Sequence, residues 1–359
     1  MDTQYILNRF GIDNITECIP FGDGHINNTF RVTTPAAQYI LQKLNTNVFK
    51  KPQQVMENIE RVTVFLRNKI RHTGGDPSRE TLCFLKATDG KNYFEDESGF
   101  WRVSRYVTGT KSSYCAESAH DFYLGAVAFG RFQRFLSDFP ADTLYETIPD
   151  FHNTPKRYRD LEEAVKSDVC SRAASVQKEL EFVRSRMALV NSVQGMYEKG
   201  EIPLRVTHND TKLNNVLLDE KTGRGICVVD LDTVMPGFSV YDFGDAIRSG
   251  ACTCAEDDPD FEKACLDLEL FDAFVKGFLE GCGEGLTENE IKAFPVGAMA
   301  ITLECGMRFL TDYLSGDTYF RIERPDHNLD RCRTQFHMVL DMEKKQSLME
   351  SSVAKYISL

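Results

Sequence analysis

The sequence feature that most restricts the fold is a polar loop past the middle of the chain, followed closely by one further carboxylate. His208, Asp210 and Asn215 lie within one short stretch, and Asp230 follows Asn215 by fifteen residues. The loop offers one carboxylate to a hydroxyl proton, and an amide oxygen with a second carboxylate to a hard cation such as Mg²⁺. A polar turn whose acids only cap or solvate it is the alternative. Four such residues at these spacings favour catalysis.

Two short apolar runs bracket the connection between the loop and Asp230. Residues 216–218 and 226–229 are each typical of a buried strand. The seven residues between them, 219–225, contain two glycines and predict a hairpin turn. Because a hairpin returns the chain to its starting point, we expect Asp230 to lie beside the polar loop.

The spacing His-x-Asp-x4-Asn with a later Asp resembles that of the protein-kinase-like phosphotransferases. The resemblance implies that Asp210 is the base that orients an acceptor hydroxyl. It also implies that Asn215 and Asp230 hold magnesium and that His208 braces the loop.

Length and composition exclude several other classes. At 359 residues the chain exceeds the usual size of one domain, so we expect two lobes. The net charge of −12 disfavours nucleic-acid and anionic-membrane partners, which need a basic face. The sequence has eleven cysteines without zinc spacing, no signal-like start and no apolar run of membrane-spanning length. These features predict a cytoplasmic protein. We expect it to be a monomer or a small homo-oligomer.

A glycine-containing turn near the start of the chain is a candidate nucleotide loop. Gly22, Asp23 and Gly24 lie between strand-like runs, and backbone amides at such a turn can approach phosphate oxygens. Alone the pattern favours an ordinary hairpin. The downstream polar loop makes nucleotide binding the better interpretation.

The third predicted strand departs from the kinase-like pattern. Gln42 stands where that fold places a lysine for the nucleotide phosphates, and Lys43 follows it. By strand alternation Lys43 points to the other face, unless a β-bulge re-aims it. Gln42 as a neutral donor and Lys43 as a cation therefore stay open as phosphate contacts. Glu57 and Glu60 of the predicted helix 52–69 are possible partners of the lysine.

The predicted boundary between lobes follows Tyr106, whose backbone would receive the edge of adenine. Residues 80–107 alternate like strands, and helical patterns, including 174–199, dominate afterwards. We therefore expect an α+β fold of two lobes: a small antiparallel-sheet lobe over 1–107 that binds nucleotide, and a larger, mainly helical lobe over 108–359 that carries catalysis and the acceptor.

Two further segments carry candidate site residues. Asp242 opens a predicted helix after a Pro-Gly turn, and we expect it to hold the catalytic loop through backbone hydrogen bonds. Arg308 lies among apolar residues and is expected to need a buried acceptor. A structural ion pair and a substrate contact are both open for Arg308.

Five segments together resemble the bacterial N-acetylhexosamine 1-kinases, of the aminoglycoside-phosphotransferase and choline-kinase branch of the kinase-like fold. They are residues 22–27, 203–215, 230–237, 242–245 and 304–310. The resemblance implies ATP and Mg²⁺ as cofactors and transfer of the γ-phosphate to the anomeric hydroxyl of GlcNAc or GalNAc. It also implies Asp210, Arg308 and Tyr319 around the sugar, with contacts added by His25 and Asn27.

Two rival functions remain. Another small-molecule kinase of the same branch would act on an amino alcohol or an aminoglycoside, and such a cationic acceptor would need several acids near Asp210. Asp245 and the loop 256–260 could supply them. A nucleotide-binding regulator without catalysis is the second rival, suggested by the irregular Gln42 and Lys43 position.

Overall fold

A computed structural model describes residues 3–22, 26–113, 116 and 118–357. The N-terminal lobe is built on an antiparallel five-stranded sheet in the order β1-β2-β3-β5-β4. Its elements are α1 (Thr3–Asn8), β1 (Glu17–Pro20), β2 (Asn28–Thr33), β3 (Gln38–Leu44), α2 (Pro52–His72), β4 (Phe94–Asp96) and β5 (Gly99–Arg105).

Strand alternation gives this sheet two different faces. One face carries Leu41, Trp101 and Val103, which pack with Ile6 and Leu7 of α1 in a small core. The opposite face carries Leu44 and Phe100, which belong to the main core together with the apolar side of α2. Since successive side chains of a strand point to opposite faces, Gln42 lies on the α2 face and Lys43 on the α1 face.

The C-terminal lobe is mainly helical and contains two small sheets, one of β7 and β10 and one of β6, β8 and β9. Its strands are β6 (Thr110–Lys111), β7 (Arg205–Thr207), β8 (Val216–Asp219), β9 (Gly225–Val228) and β10 (Met235–Gly237). Its helices are α3 (Ala119–Phe135), α4 (Thr154–Ser167), α5 (Gln177–Arg184), α6 (Met187–Val190), α7 (Ser192–Glu198), α8 (Ser239–Gly250), α9 (Leu268–Cys282), α10 (Glu288–Lys292), α11 (Phe294–Leu314) and α12 (His327–Ile357).

Helices α3 and α9 cross with their backbones in contact, and glycine makes the crossing possible. A Cβ on Gly130 would lie 2.2 Å from the carbonyl oxygen of Phe278, and one on Gly281 would lie 2.4 Å from that of Val127. Aromatic rings fill the neighbouring core, where Phe243 of α8 stacks on a ring of α11 at 4.1 Å between centroids. The core of the C-terminal lobe is therefore close-packed at this crossing.

The α+β fold with a sheet lobe and a helical lobe is confirmed, and so is the hairpin of β8 and β9. Two finer predictions are wrong. Of residues 80–107 only β4 and β5 are regular strands, and a single bridge joins Phe84 to Ser104. The predicted helix over 174–199 is a 3₁₀ turn followed by the three short helices α5, α6 and α7.

The proposed lobe boundary at 107/108 lies between two strands that belong to different sheets. β5 ends at Arg105 in the N-terminal sheet, whereas β6 pairs with β8 of the C-terminal lobe. None of the described helices is both long enough and apolar enough to cross a membrane.

Candidate active site

Two carboxylates at the start of α8 hold the backbone of the catalytic loop. Asp242 accepts hydrogen bonds from the backbone N–H groups of His208 and Asn209, each at 2.8 Å, and from the side chain of Gln133 at 2.6 Å. Asp245 accepts from the N–H of Thr211 at 2.9 Å. Asn209 takes a positive φ of 63°, which turns the chain sharply before Asp210. This geometry supports the predicted structural role of Asp242.

His208 holds the loop that carries Asp210 through both nitrogens of its ring. Its Nε2 donates to the carbonyl of Val229 at 2.8 Å, and its Nδ1 accepts from the N–H of Asp210 at 3.3 Å. The ring lies against the edges of Phe129 and Phe132. Because Val229 directly precedes Asp230, His208 ties the catalytic loop to the segment that carries the second carboxylate.

Asp210 is an ionised hydrogen-bond acceptor. Its Oδ2 accepts from the amide of Asn215 at 3.0 Å, and its Oδ1 lies 3.2 Å from the ammonium of Lys212. Burial alone would raise the pKa of Asp210, but Lys212 and the ring of His208 hold that pKa below its usual range. A carboxylate in this state can accept the proton of an acceptor hydroxyl.

Asn215 and Asp230 fit a magnesium ion that also takes phosphate or water oxygens. Asn215 uses its NH₂ group on the backbone and side chain of Asp210, which leaves its oxygen for another partner. In the described part of the chain nothing donates a hydrogen bond to the Asp230 carboxylate. Protein around it, and then the charges of Asp232 and Asp210, raise the pKa of Asp230 to about 7. A cation would relieve this crowding of negative charge.

No group of three or more His, Cys, Asp or Glu among the described residues could hold a metal. Asn215 and Asp230 would therefore supply only part of a magnesium shell, as is usual where substrate phosphates complete it.

The predicted nucleotide contacts are only partly brought together. Gly22 has a positive φ of 74° with open space around its Cα, while Asp23, Gly24 and His25 lie outside the described residues. Tyr106 donates its backbone N–H to the carbonyl of Gln38 at 3.1 Å, so this N–H already has a partner.

The two candidates on β3 lie on opposite faces of the sheet. Gln42 is on the α2 face, where it donates to Thr29 at 3.1 Å and accepts from Arg102. Lys43 is on the α1 face, with its ammonium 5.6 Å from the centre of the Trp101 ring. A β-bulge that would turn Lys43 is not found in the pairing of β3 with either neighbour.

The predicted glutamate partners on α2 do not meet Lys43 either. Glu60 forms an exposed ion pair with Lys86, and Glu57 is on the exposed side of the helix. Next to Glu57, Asn58 turns inward and donates to the carbonyls of Tyr145 and Val234.

Three residues at the site were not predicted from the sequence: Lys212, Arg102 and Asp232. Lys212, two positions after Asp210, places a cation beside the base. Arg102 of β5 forms a buried ion pair with Asp232, which stands two positions after Asp230. Asn27 also donates to Asp232, at 2.6 Å, so this predicted substrate contact is engaged in joining the lobes. The Asp-Leu-Asp run at 230–232 was the available signal, since two nearby carboxylates repel each other and a cation close to them relieves that repulsion.

Arg308 and Tyr319 share one rim of the C-terminal lobe. The guanidinium of Arg308 lies 4.9 Å from the ring centre of Phe151 and 5.6 Å from that of Phe320. Tyr319 packs edge-on against Phe320 and is 57% exposed. The expectation of a buried acceptor is not met: within the described residues Arg308 has no hydrogen bond and no carboxylate within 4 Å.

This rim is connected to the catalytic loop through His152. Its Nδ1 bonds to Glu304 of α11 at 2.8 Å, and its Nε2 lies 3.3 Å from the carbonyl oxygen of Asn209. Phe151, beside it in sequence, carries the ring under Arg308. His152 therefore links α11 and the segment before α4 to the loop that carries Asp210.

A two-lobed kinase-like fold with Asp210, Asn215 and Asp230 gathered at one loop is typical of the phosphotransferases. The model of the phosphotransferase enzyme family APH matches residues 17–274, and the chain belongs to that family. It is a phosphotransferase enzyme.

Solved structures with the same fold share little sequence with this chain. An aminoglycoside phosphotransferase from Alicyclobacillus acidocaldarius is 15% identical, with a TM-score of 0.63 over 100% of this chain and 97% of that one. A choline kinase from Cryptosporidium parvum is 16% identical, with a TM-score of 0.59 over 96% and 93%. A spectinomycin phosphotransferase in complex with ADP and spectinomycin is 12% identical, with a TM-score of 0.55 over 95% and 97%.

Proposed function

We propose that this chain is an ATP-dependent small-molecule kinase that phosphorylates the anomeric hydroxyl of N-acetylhexosamines such as GlcNAc and GalNAc. The observation that carries the choice of acceptor is Arg308. Its guanidinium has no carboxylate partner among the described residues and lies between two aromatic rings. A neutral, hydroxyl-rich ring can accept its hydrogen bonds, whereas an ammonium group would be repelled.

Three of the acids that a cationic acceptor could use are already engaged by other groups. Asp245 is bound by Arg248 at 2.9 Å and by the backbone of Thr211. Glu256 is paired with the same Arg248, and Asp257 is bound to His327. These contacts disfavour an amino alcohol or an aminoglycoside as the acceptor, although kinases of such compounds share the fold.

The use of ATP is supported by family membership and by the ADP bound to the spectinomycin phosphotransferase. In the proposed reaction Asp210 accepts the proton of the acceptor hydroxyl and aims its oxygen at the γ-phosphate. Lys212, next to Asp210, would steady the phosphate charge. Asn215 and Asp230 would hold Mg²⁺, which when bound neutralises charge on the phosphates. Transfer then depends on positioning more than on covalent catalysis.

The experiment that tests this function is ³¹P NMR of the protein with MgATP and a panel of single acceptors. The panel contains free hexoses, N-acetylhexosamines, choline and an aminoglycoside, with an acceptor-free reaction as the control for ATP hydrolysis. The expected product is a phosphate monoester whose phosphorus couples to the anomeric proton. Phosphate on choline or on the aminoglycoside would refute the sugar acceptor but retain the kinase, and no phosphorylated product at all would refute the kinase.

A further inference from the structure

A buried positive charge lies on the α2 face of the N-terminal sheet, and it does not come from β3. Gln42 on β3 is neutral, and Lys43 points to the α1 face. Directly across from Gln42 in the antiparallel pairing is Arg102 of β5, which therefore shares its face. Arg102 is 2% exposed, and its Nε donates to Gln42 at 3.0 Å.

Arg102 reaches from this sheet into the C-terminal lobe. Its Nη1 forms a short ion pair with Oδ1 of Asp232 and lies 3.8 Å from the sulfur of Met56 on α2. The inward side of α2 therefore places a thioether beside Arg102, and the carboxylate that pairs with the arginine comes from the other lobe.

Asp232 is held by the N-terminal lobe at both of its oxygens. Oδ1 meets Arg102, and Oδ2 accepts from the side chain of Asn27 at 2.6 Å. Nearby, Asn58 of α2 donates to the carbonyl of Val234 at 3.0 Å. Three contacts from three elements thus fix the short segment 230–234, and this segment begins with the candidate magnesium ligand Asp230.

Formation of a buried ion pair such as Arg102–Asp232 has a large desolvation cost. Two charges lose their hydration, and only close geometry with further hydrogen bonds offsets that loss. Removal of either partner leaves the other charge buried without compensation. The Arg102–Asp232 pair therefore constrains the position of the 230–234 segment far more than an exposed ion pair would.

We propose that Arg102 is a positioning residue for the nucleotide: by binding Asp232 it fixes Asp230 relative to the sheet, in place of a lysine on the third strand. This inference rests on the proposed use of MgATP. It goes further in assigning the inter-lobe charge to β5 and its acidic partner to the segment after the metal ligand. The expected consequence is selective, since the acceptor is bound by residues of the other side of the site.

The test measures binding of MgATP by calorimetry, which requires no acceptor. Arg102→Met is expected to weaken MgATP binding by at least about tenfold. Asp232→Asn is expected to have a similar effect. Arg102→Lys, which retains a charge for Asp232, should recover much of the loss. Arg186→Met is the matched control, because Arg186 forms a two-point ion pair with Glu343 away from the site.

Two readouts separate positioning from general loss of structure. ATP binding in EDTA should change much less than MgATP binding, because the effect is transmitted through the magnesium side of the site. In turnover assays the KM for MgATP should rise while the KM for the acceptor stays within about twofold. If Arg102→Met does not fold, the double variant Arg102→Met with Asp232→Asn removes both buried charges and is measured in its place.

Three results would overturn the inference. Wild-type MgATP affinity in folded Arg102→Met, or in the double variant, would show that the pair does not position the nucleotide. A loss of MgATP binding in Lys43→Met without one in Arg102→Met would return the role to β3. If the wild-type protein itself binds no MgATP, the proposed function fails and this inference fails with it, whereas the first two results refute only the role of Arg102.

Discussion

Replacement of Asp210 by asparagine should separate catalysis from folding. The substitution exchanges one carboxylate oxygen for an NH₂ group and changes little in size. The remaining oxygen can still accept from Asn215, which bonds to the side chain at 3.0 Å and to the backbone carbonyl of residue 210 at 2.8 Å. The ion pair with Lys212 is lost.

From the structure we expect Asp210→Asn to lower the free energy of unfolding slightly and turnover strongly. The side chains of Lys212 and Asp210 are 45% and 31% exposed, so their ion pair contributes at most about 1 kcal/mol to the free energy of unfolding. Loss of a general base lowers turnover by about 10²–10⁴. At about 1.4 kcal/mol for each tenfold, the barrier to transfer rises by about 3–5 kcal/mol.

Three measurements on the same preparation test this reasoning. Urea unfolding should change by no more than about 1 kcal/mol, and MgATP binding should remain. Turnover with the best acceptor should fall by the factor above. Lys212→Met is the control for the urea measurement alone, because it removes the same ion pair and leaves the carboxylate. Its turnover is not used as a control, since Lys212 is proposed to contact the phosphates. A folded Asp210→Asn protein with near-wild-type turnover would refute the assignment of Asp210 as the base.

Three further predictions concern other parts of the site and its support. Asp230→Ala should abolish the magnesium dependence of ATP binding, and unchanged calorimetric affinity in Mg²⁺ would contradict its role as a ligand. Arg308→Met should raise the KM for the acceptor by about tenfold and leave that for MgATP within about twofold, whereas an unchanged acceptor KM would remove Arg308 from the pocket. Burial alone would raise the pKa of Glu290, but Arg205 at 2.7 Å and other donors hold that pKa below its usual range. The stabilisation is therefore complete above the unfolded pKa of about 4.3 and is lost as the pH falls through the lower folded pKa. Urea unfolding should show Glu290→Gln to be destabilised by about 2–3 kcal/mol at neutral pH, with a difference from wild type that shrinks below about pH 4; a constant difference would refute the sign.

The catalytic half of the site was predictable because its geometry is local. His208, Asp210 and Asn215 lie within eight residues, and a single hairpin returns Asp230 to them. Spacing along the chain then fixes proximity in space. Asp242 was predicted as a holder of this loop, and it does accept from backbone N–H groups. Those groups belong to His208 and Asn209 of the loop and not to the helix that Asp242 opens.

The apolar periodicity correctly predicted which residues are buried, but it did not predict where the helix is interrupted. In residues 174–199 the buried Leu180, Val183, Val190 and Val193 face one core, as the helical pattern requires. The helix nevertheless breaks between Arg184 and Met187 and again at Asn191. A pattern of side chains identifies the face that is buried, and short helices joined by turns can present the same face as one long helix.

The acceptor rim could not be predicted from spacing because its members come from distant segments. Phe151 precedes α4, Arg308 lies on α11, and Phe320 follows α11. An arginine among apolar residues signals a need for compensation, and the sequence suggested a buried acid. The structure provides aromatic faces, which attract a guanidinium without neutralising it. In this setting the guanidinium keeps its N–H groups available for another acceptor, which is what the proposed sugar pocket requires.

Strand β3 has no lysine on its α2 face, and the cation that pairs with Asp232 comes from β5 instead. Two carboxylates at 230 and 232 repel each other, and the charge of Asp232 is one cause of the raised pKa of Asp230. A cation must therefore reach Asp232 from a neighbouring element. Lys43 cannot do so from the α1 face, whereas the register of β3 and β5 places Arg102 beside Gln42 on the face toward the other lobe. That register joins residues sixty positions apart, and the ion pair joins residues 130 apart. Strand alternation alone left Lys43 open, because a β-bulge could have re-aimed it. Only the pairing of the strands excludes that bulge and places Arg102 beside Gln42.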